Sequence, residues 1–144
     1  MTPECERRLD NGLARLGIDV DAPARERLLS LLILLHKWNR AYNLTAVRSP
    51  EDMVTKHLLD SASVLSAVRG PRLLDVGSGP GFPGLVLAIL QPGLEVTLLD
   101  SNGKKVRFQR QAVLELGLKN TITLQERVEK LATEPFDQVI SRAF

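Results

Sequence analysis

The residues best suited to chemistry in this chain are two acids bracketing a run of glycines. Leu73-Leu74-Asp75-Val76 is a short, mostly apolar stretch, and Gly77, Gly79, Gly81 and Gly84 follow it with Pro80 and Pro83 between them. Glycine is required where a backbone takes positive φ or approaches a ligand with no Cβ in the way. Proline suits the first helical position, because its missing N–H would have no partner there. Pro83 opens the apolar segment Leu85 to Leu90, so the stretch reads as buried strand, tight turn and helix. Such a unit sets free backbone N–H groups beside a ligand at the C-terminal edge of a parallel sheet. The chemistry expected of it is the binding of a nucleotide-like cofactor.

Other reactive side chains are few. Asp100 lies about twenty residues beyond the glycines, where an acid can hold ribose hydroxyls. Lys104, Lys105, Arg107 and Arg110 cluster after it, with Phe108 between them. They form a candidate phosphate-contacting set, and an ordinary solvated helix face fits them equally well. His57 and Asp60 are three apart, a helical spacing that suits a structural contact better than an acid–base pair. Two histidines and one cysteine provide no metal set, and none is expected.

Helices and strands must position these groups. Residues 1–23 read as a short helix around Leu9, Leu13 and Leu16, stopped at Gly17. From Ala24 to about Arg40, Leu28, Leu32, Leu35, Trp38 and Tyr42 recur at helical steps and draw one apolar stripe. Trp38 and Tyr42 therefore read as core rather than as base-stacking platforms. Asn39, Arg40 and Asn43 fall off the stripe and are freer to serve a substrate. Ser49-Pro50-Glu51-Asp52 is a helix start, and the segment after it reaches Gly70-Pro71 with a possible break near Leu58. From Arg72 strands alternate with helices: strands at 72–76, 95–99, 122–124 and 138–140, and helices from Pro83, from Ser101 or Asn102 to Leu116, and around Val128–Ala132. Repeated βα units of this length predict an α/β fold with a doubly wound parallel sheet behind a helical N-terminal extension. The expected division is residues 1–71 for the extension and 72–144 for the cofactor-binding α/β portion, packed as one domain. Because Phe144 directly follows a buried-looking strand, C-terminal strands are expected to be missing.

Composition narrows the class. The chain has 144 residues, 44% hydrophobic and 25% charged, as in a soluble globular protein. Uninterrupted apolar runs such as Leu31 to Leu35 are too short to cross a bilayer. The single Cys5 excludes an internal disulfide and fits a reducing cytoplasm. A net charge of +2 permits a nucleic-acid partner without requiring one.

The glycine loop admits two cofactor classes. Gly79-Pro80-Gly81-Phe82-Pro83-Gly84 satisfies the G-x-G-x-x-G of dinucleotide sites, with Asp100 at the matching distance. Gly77-Ser78-Gly79-Pro80-Gly81, preceded by Asp75, resembles the first motif of S-adenosylmethionine methyltransferases. Two prolines in the loop favour the second class. Asp100 serves either, and an NAD-dependent oxidoreductase stays open on these residues alone.

Further segments extend the likeness. Trp38-Asn39-Arg40-Ala41-Tyr42-Asn43-Leu44-Thr45, His57-Leu58-Leu59-Asp60-Ser61, the glycine loop, Leu99-Asp100-Ser101 with Lys104 to Phe108, Arg127-Val128-Glu129, and Val139 to Phe144 occur in this order. Together they resemble the bacterial rRNA small subunit methyltransferase G family, also called glucose-inhibited division protein B, from about Leu28 onward. That resemblance implies a Rossmann-like S-adenosylmethionine-dependent sheet. It also implies methyl transfer to N7 of a guanosine in the 530 loop of 16S rRNA, on free RNA or on a small-subunit particle. Cofactor contacts implied by residue are Gly77, Gly79, Phe82, Asp100, Val128, Glu129 and Arg142, with Phe82 packing on the cofactor's apolar surface. Asn39, Arg40, Asn43, Lys104, Lys105 and Arg107 are the RNA candidates. Guanine N7 carries a free lone pair, so no general base and no catalytic side chain are expected. The turn Ser141-Arg142-Ala143-Phe144 lacks the Asn-Pro-Pro-Tyr-like sequence common in enzymes that methylate exocyclic amines. A cytoplasmic monomer without membrane or metal completes the expectation, and a small-molecule methyltransferase is the nearest alternative.

Overall fold

The computed structural model describes residues 2–131 and 136–141. Helix α1 (Pro3–Arg15) starts where the Thr2 hydroxyl accepts from the Cys5 N–H, and α2 (Ala22–Tyr42) starts where Asp21 accepts from Ala24. Each side chain satisfies one of the donors that a helix start leaves without an intrahelical partner. Ser49 caps α3 (Pro50–Met53) in the same way. The chain then widens into a π-helical turn (Val54–Leu59), returns to α4 (Asp60–Ala62) and tightens into a 3-10 turn (Leu65–Ala67). The irregularity foreseen near Leu58 is thus a change of helical pitch within one continuous run. Pitch changes of this kind rotate one segment of side chains relative to the next.

Among the described residues four strands follow: β1 (Arg72–Val76), β2 (Glu95–Asp100), β3 (Thr121–Gln125) and β4 (Gln138–Ser141). All pair in parallel, in the order β3-β2-β1-β4. Helix α5 (Gly84–Leu90) joins β1 to β2, and α6 (Gly103–Leu116) joins β2 to β3. The Phe82–Pro83 peptide bond before α5 is cis. Asn102 caps α6 by accepting from the Lys105 N–H, and Gly117, in the left-handed conformation, ends it. After β3 the described part of the expected helix is a 3-10 turn, Val128–Lys130, and Ala132 lies outside the described residues.

Alternation along the strands sorts the two faces of the sheet. Leu73, Asp75, Val96 and Leu98 are buried, and Gly84 of α5 rests against Asp75, Val96 and Leu98. Leu74, Thr97, Ile122 and Val139 form one register row on the opposite face. There the central pair is buried, while Ile122 is 49% and Val139 58% exposed. The outer strands β3 and β4 thus carry apolar side chains that are partly open on this face.

One continuous hydrophobic cluster spans the helical extension and the sheet. Leu9 of α1, Leu28, Leu32 and Leu35 of α2, and Met53, Val54 and Leu58 of the third helical run join Phe82, Leu85 and Phe108 in it. At the surface of the extension, Arg25 reaches both Glu6 and Asp10. Its hydrogen bond holds the Asp10 carboxyl below the usual carboxylate range. No helix among the described residues is long and apolar enough to cross a membrane.

Candidate functional site

The glycine loop is pinned on three sides. At the end of β2, the Leu99 carbonyl accepts from Gly77 N–H at 2.9 Å and from Ser78 N–H at 3.1 Å. Asp100 accepts the Gly79 N–H at 2.8 Å with one carboxylate oxygen and the Asn102 N–H at 2.8 Å with the other. The Ser78 carbonyl accepts from Gly81 at 2.9 Å and from Phe82 at 3.1 Å. Below the loop, Asp75 is fully buried and accepts the Gly84 N–H at 2.9 Å, at the start of α5. The loop N–H groups expected to be free for a ligand are therefore consumed within the chain. Asp75 stands where an anion would otherwise sit at the helix start.

From α6, fully buried Gln109 completes the support. Its side-chain amide donates to Ser78 Oγ at 2.8 Å and to the Gly79 carbonyl. Gln109 was not foreseen from the sequence. A detectable signal existed: Val106, Gln109 and Ala112 step along one face of α6, and a polar residue there interrupts an otherwise apolar stripe.

Above the loop lies an open cleft of about 530 Å³. Its floor is Val76, Gly77 and Gly79, one wall is Leu99, Asp100 and Ser101, and the other is Glu126 to Glu129, with Lys105 at the rim. It lies at the carboxyl ends of β1 and β2, beside the point where strand order reverses, which is where open α/β sheets hold ligands. At Gly79, φ is +56° and a Cβ would meet no atom within 4 Å. The backbone there is bare toward the cleft. A non-glycine residue would be strained by about 1–2 kcal/mol and would project into the ligand space.

Four of the expected cofactor residues besides Gly77, namely Gly79, Asp100, Val128 and Glu129, converge on this cleft. Phe82 does not line it. Its ring is 1% exposed and stacks on His57, with centroids 5.0 Å apart and planes 19° apart. The backbone turns at Gly81 and sends the side chain into the core beneath the extension, so packing of Phe82 on the cofactor's apolar surface is corrected. Arg142 lies outside the described residues.

Among the RNA candidates, Asn39 is also corrected. It is 2% exposed, donates to the Val47 carbonyl at 3.1 Å and accepts the Thr45 N–H at 2.9 Å. Thr45 Oγ1 in turn lies 2.8 Å from His57 Nε2. Asn39 falls off the leucine stripe yet faces inward, because the chain folds back over it beyond Asn43. Replacing Asn39 with alanine should lower stability by about 1–3 kcal/mol, since both loop bonds are lost in a buried setting. Urea unfolding checks this, and a loss under about 0.5 kcal/mol would remove the structural role. Arg40 and Asn43 are exposed. The basic run on α6 is divided: Lys105 borders the cleft, whereas Lys104 and Arg107 line a separate pocket with Trp38 and Tyr42. Residues three apart share a helix face and adjacent ones do not, which separates them.

This sheet, loop and cleft define a Rossmann-like methyltransferase fold. An O-methyltransferase from Bacillus cereus, solved in complex with SAH, superposes with a TM-score of 0.56 at 22% identity, covering 93% of this chain and 60% of that one. Coclaurine N-methyltransferase superposes with a TM-score of 0.53 at 12% identity, covering 95% and 49%. Sequence comparison is more specific. The profile of rRNA small subunit methyltransferase G matches residues 24–144. The Chromohalobacter salexigens protein of that name is 76% identical over 144 residues, all of this chain and 69% of that protein. Its Pseudomonas syringae pv. syringae counterpart is 54% identical over 145 residues, covering 100% of this chain and 68% of that protein. The chain belongs to the rRNA small subunit methyltransferase G family.

Proposed function

We propose that this chain takes a methyl group from S-adenosylmethionine and places it on N7 of a guanosine in the 530 loop of 16S rRNA. The observation that carries the cofactor class is the internal use of the loop N–H groups. A dinucleotide needs such donors, and a helix start free of carboxylate, for its pyrophosphate. Here the donors face Leu99, Ser78, Asp75 and Asp100 instead. A cofactor without phosphate fits the cleft, where the acids Asp100, Glu126 and Glu129 outnumber the cations Lys105 and Arg127.

Bound there, S-adenosylmethionine would supply a sulfonium methyl group for in-line displacement. Asp100 would accept from the ribose hydroxyls while keeping its two backbone donors. Val128 and Glu129 would contact the adenine, and Gly77 and Gly79 would let the cofactor lie against bare backbone. Arg142 is retained as a cofactor contact on the family resemblance. Guanine N7 presents its lone pair without prior deprotonation, so the chain's contribution is placement of nucleophile and methyl group in line. No general base is assigned. The same reading sets the protein in the cytoplasm, as a monomer acting on 16S rRNA or a small-subunit particle.

Calorimetric titration with S-adenosylhomocysteine, with NADH run in parallel, tests the cofactor class. Selective binding of the homocysteine compound, weakened at least tenfold in Asp100→Ala, is expected. Preferential NADH binding would overturn the assignment in favour of an oxidoreductase. Mapping the methylated position in 16S rRNA after incubation with labelled cofactor then tests the N7 target, and label confined to a small molecule would favour the alternative methyltransferase class.

A further inference from the structure

The last turn of α2 lies against the first turns of α6 and leaves an open pocket of about 320 Å³ lined by Trp38, Tyr42, Lys104 and Arg107. Trp38 is backed by the core. Its ring meets fully buried Phe108 edge-on, with centroids 5.7 Å apart. Tyr42 packs on Trp38 at 5.3 Å with the planes tilted by 44°, and it remains 46% exposed. The apolar stripe read from the sequence thus ends differently from how it begins: Leu28, Leu32 and Leu35 are core, whereas Tyr42 reaches solvent. At the rim, Lys104 and Arg107 are exposed, and among the described residues neither has a carboxylate within ion-pairing distance.

A half-exposed aromatic pair ringed by unpaired cations has the two components of a single-strand nucleic-acid site: a π-surface for a base and positive charge for its phosphate. Its position bears on which base. Lys105 borders the cofactor cleft and its neighbour Lys104 the aromatic pocket, so the two sites lie on different sides of the same helical turn. An α-helix with its side chains is about 10–12 Å across. A base held in the pocket is therefore a neighbour of the nucleotide at the cleft, not that nucleotide itself.

We propose that the Trp38–Tyr42–Lys104–Arg107 pocket binds an unstacked base of the RNA strand flanking the methylated nucleotide, with the base on Tyr42 and a phosphate on Lys104 and Arg107. The inference rests on the RNA-substrate reading above and assigns that substrate a second foothold.

Trp38 is the chain's one tryptophan, so its fluorescence reports directly on this pocket. The 144-residue chain is titrated with a short single-stranded RNA of mixed sequence and with an abasic strand of equal length. The base-containing strand is expected to quench Trp38 and the abasic strand to leave it bright. In Tyr42→Ala, RNA affinity should fall about 10- to 100-fold, the range of one aromatic–base stack. Tyr42→Phe should restore it, and S-adenosylhomocysteine affinity should be unchanged in both variants. Removing both charges, as Lys104→Gln with Arg107→Gln, should reduce the salt-dependence slope by about 1.4. Equal binding of both strands, or an unchanged affinity in Tyr42→Ala, would overturn the pocket and leave the methyltransferase assignment intact. A chain that binds S-adenosylhomocysteine but neither strand would overturn the RNA-substrate reading and the pocket together.

Discussion

Replacing Asp75 with alanine is expected to lower folding stability by about 3 kcal/mol and to weaken S-adenosylhomocysteine binding at least tenfold. Two terms contribute to the stability loss. The buried Gly84 N–H loses its acceptor, which costs about 1–3 kcal/mol when water cannot replace it. The truncation also removes packed side-chain atoms from a fully buried site, which costs about 1–2 kcal/mol more. Binding suffers indirectly, because Asp75 does not line the cleft. It fixes the helix that follows the loop, so its loss lets the loop drift from the cofactor. Asp75→Asn keeps an oxygen acceptor at nearly the same volume and should retain part of both properties. Urea unfolding and calorimetry on the three proteins separate these effects. An alanine variant within about 1 kcal/mol of the parent, with unaltered affinity, would exclude the anchoring role.

Gln109→Leu should have the second largest effect: about 1–3 kcal/mol of stability and at least a tenfold loss of cofactor affinity. The leucine has similar bulk, so the core of α6 stays filled. What disappears are the two donors to Ser78 Oγ and the Gly79 carbonyl. Gly79 is part of the cleft floor, so small shifts of its carbonyl move the ligand surface. Gln109→Glu provides the control. It preserves size but turns a donor into an acceptor facing two oxygens, and it should be at least as damaging as leucine. If Gln109→Glu binds S-adenosylhomocysteine like the parent protein, donation by this side chain is not what holds the loop.

Much of the fold was legible because its signals are local. Capping at Ser49 and Asn102 and the stop at Gly117 follow from hydrogen bonding within a few residues, and the strands expected at 72–76 and 95–99 follow from short apolar runs bounded by turn residues. The cleft was legible for a related reason. Parallel strands deliver their C-terminal residues to one edge, which brings Gly77, Gly79 and Asp100 together, and the family resemblance points to Val128 and Glu129 on the same cleft.

The misreadings share one cause. Asn39 is read from its place off the leucine stripe and Phe82 from the family resemblance, whereas each is buried by a segment that folds back on it: His57 onto Phe82, and Thr45 and Val47 onto Asn39. Gln109 supports a loop 30 residues earlier in the chain, a separation that no local pattern reports. Tyr42 presents the reverse case, continuing a buried stripe beyond the point where the core ends.

By itself, the sequence determined the element order, the parallel α/β class and the strand ends that meet at the cleft. These depend on backbone propensity, caps and apolar periodicity, which are written residue by residue. Tertiary structure alone decided that the loop N–H groups are spent inside the chain rather than offered to a phosphate. It also decided that Asp75 and Gln109 are supports and that the basic run on α6 serves two different pockets. Those outcomes depend on which distant groups come within hydrogen-bond reach and on which side of a helix remains in water, and both are set only when the whole chain packs.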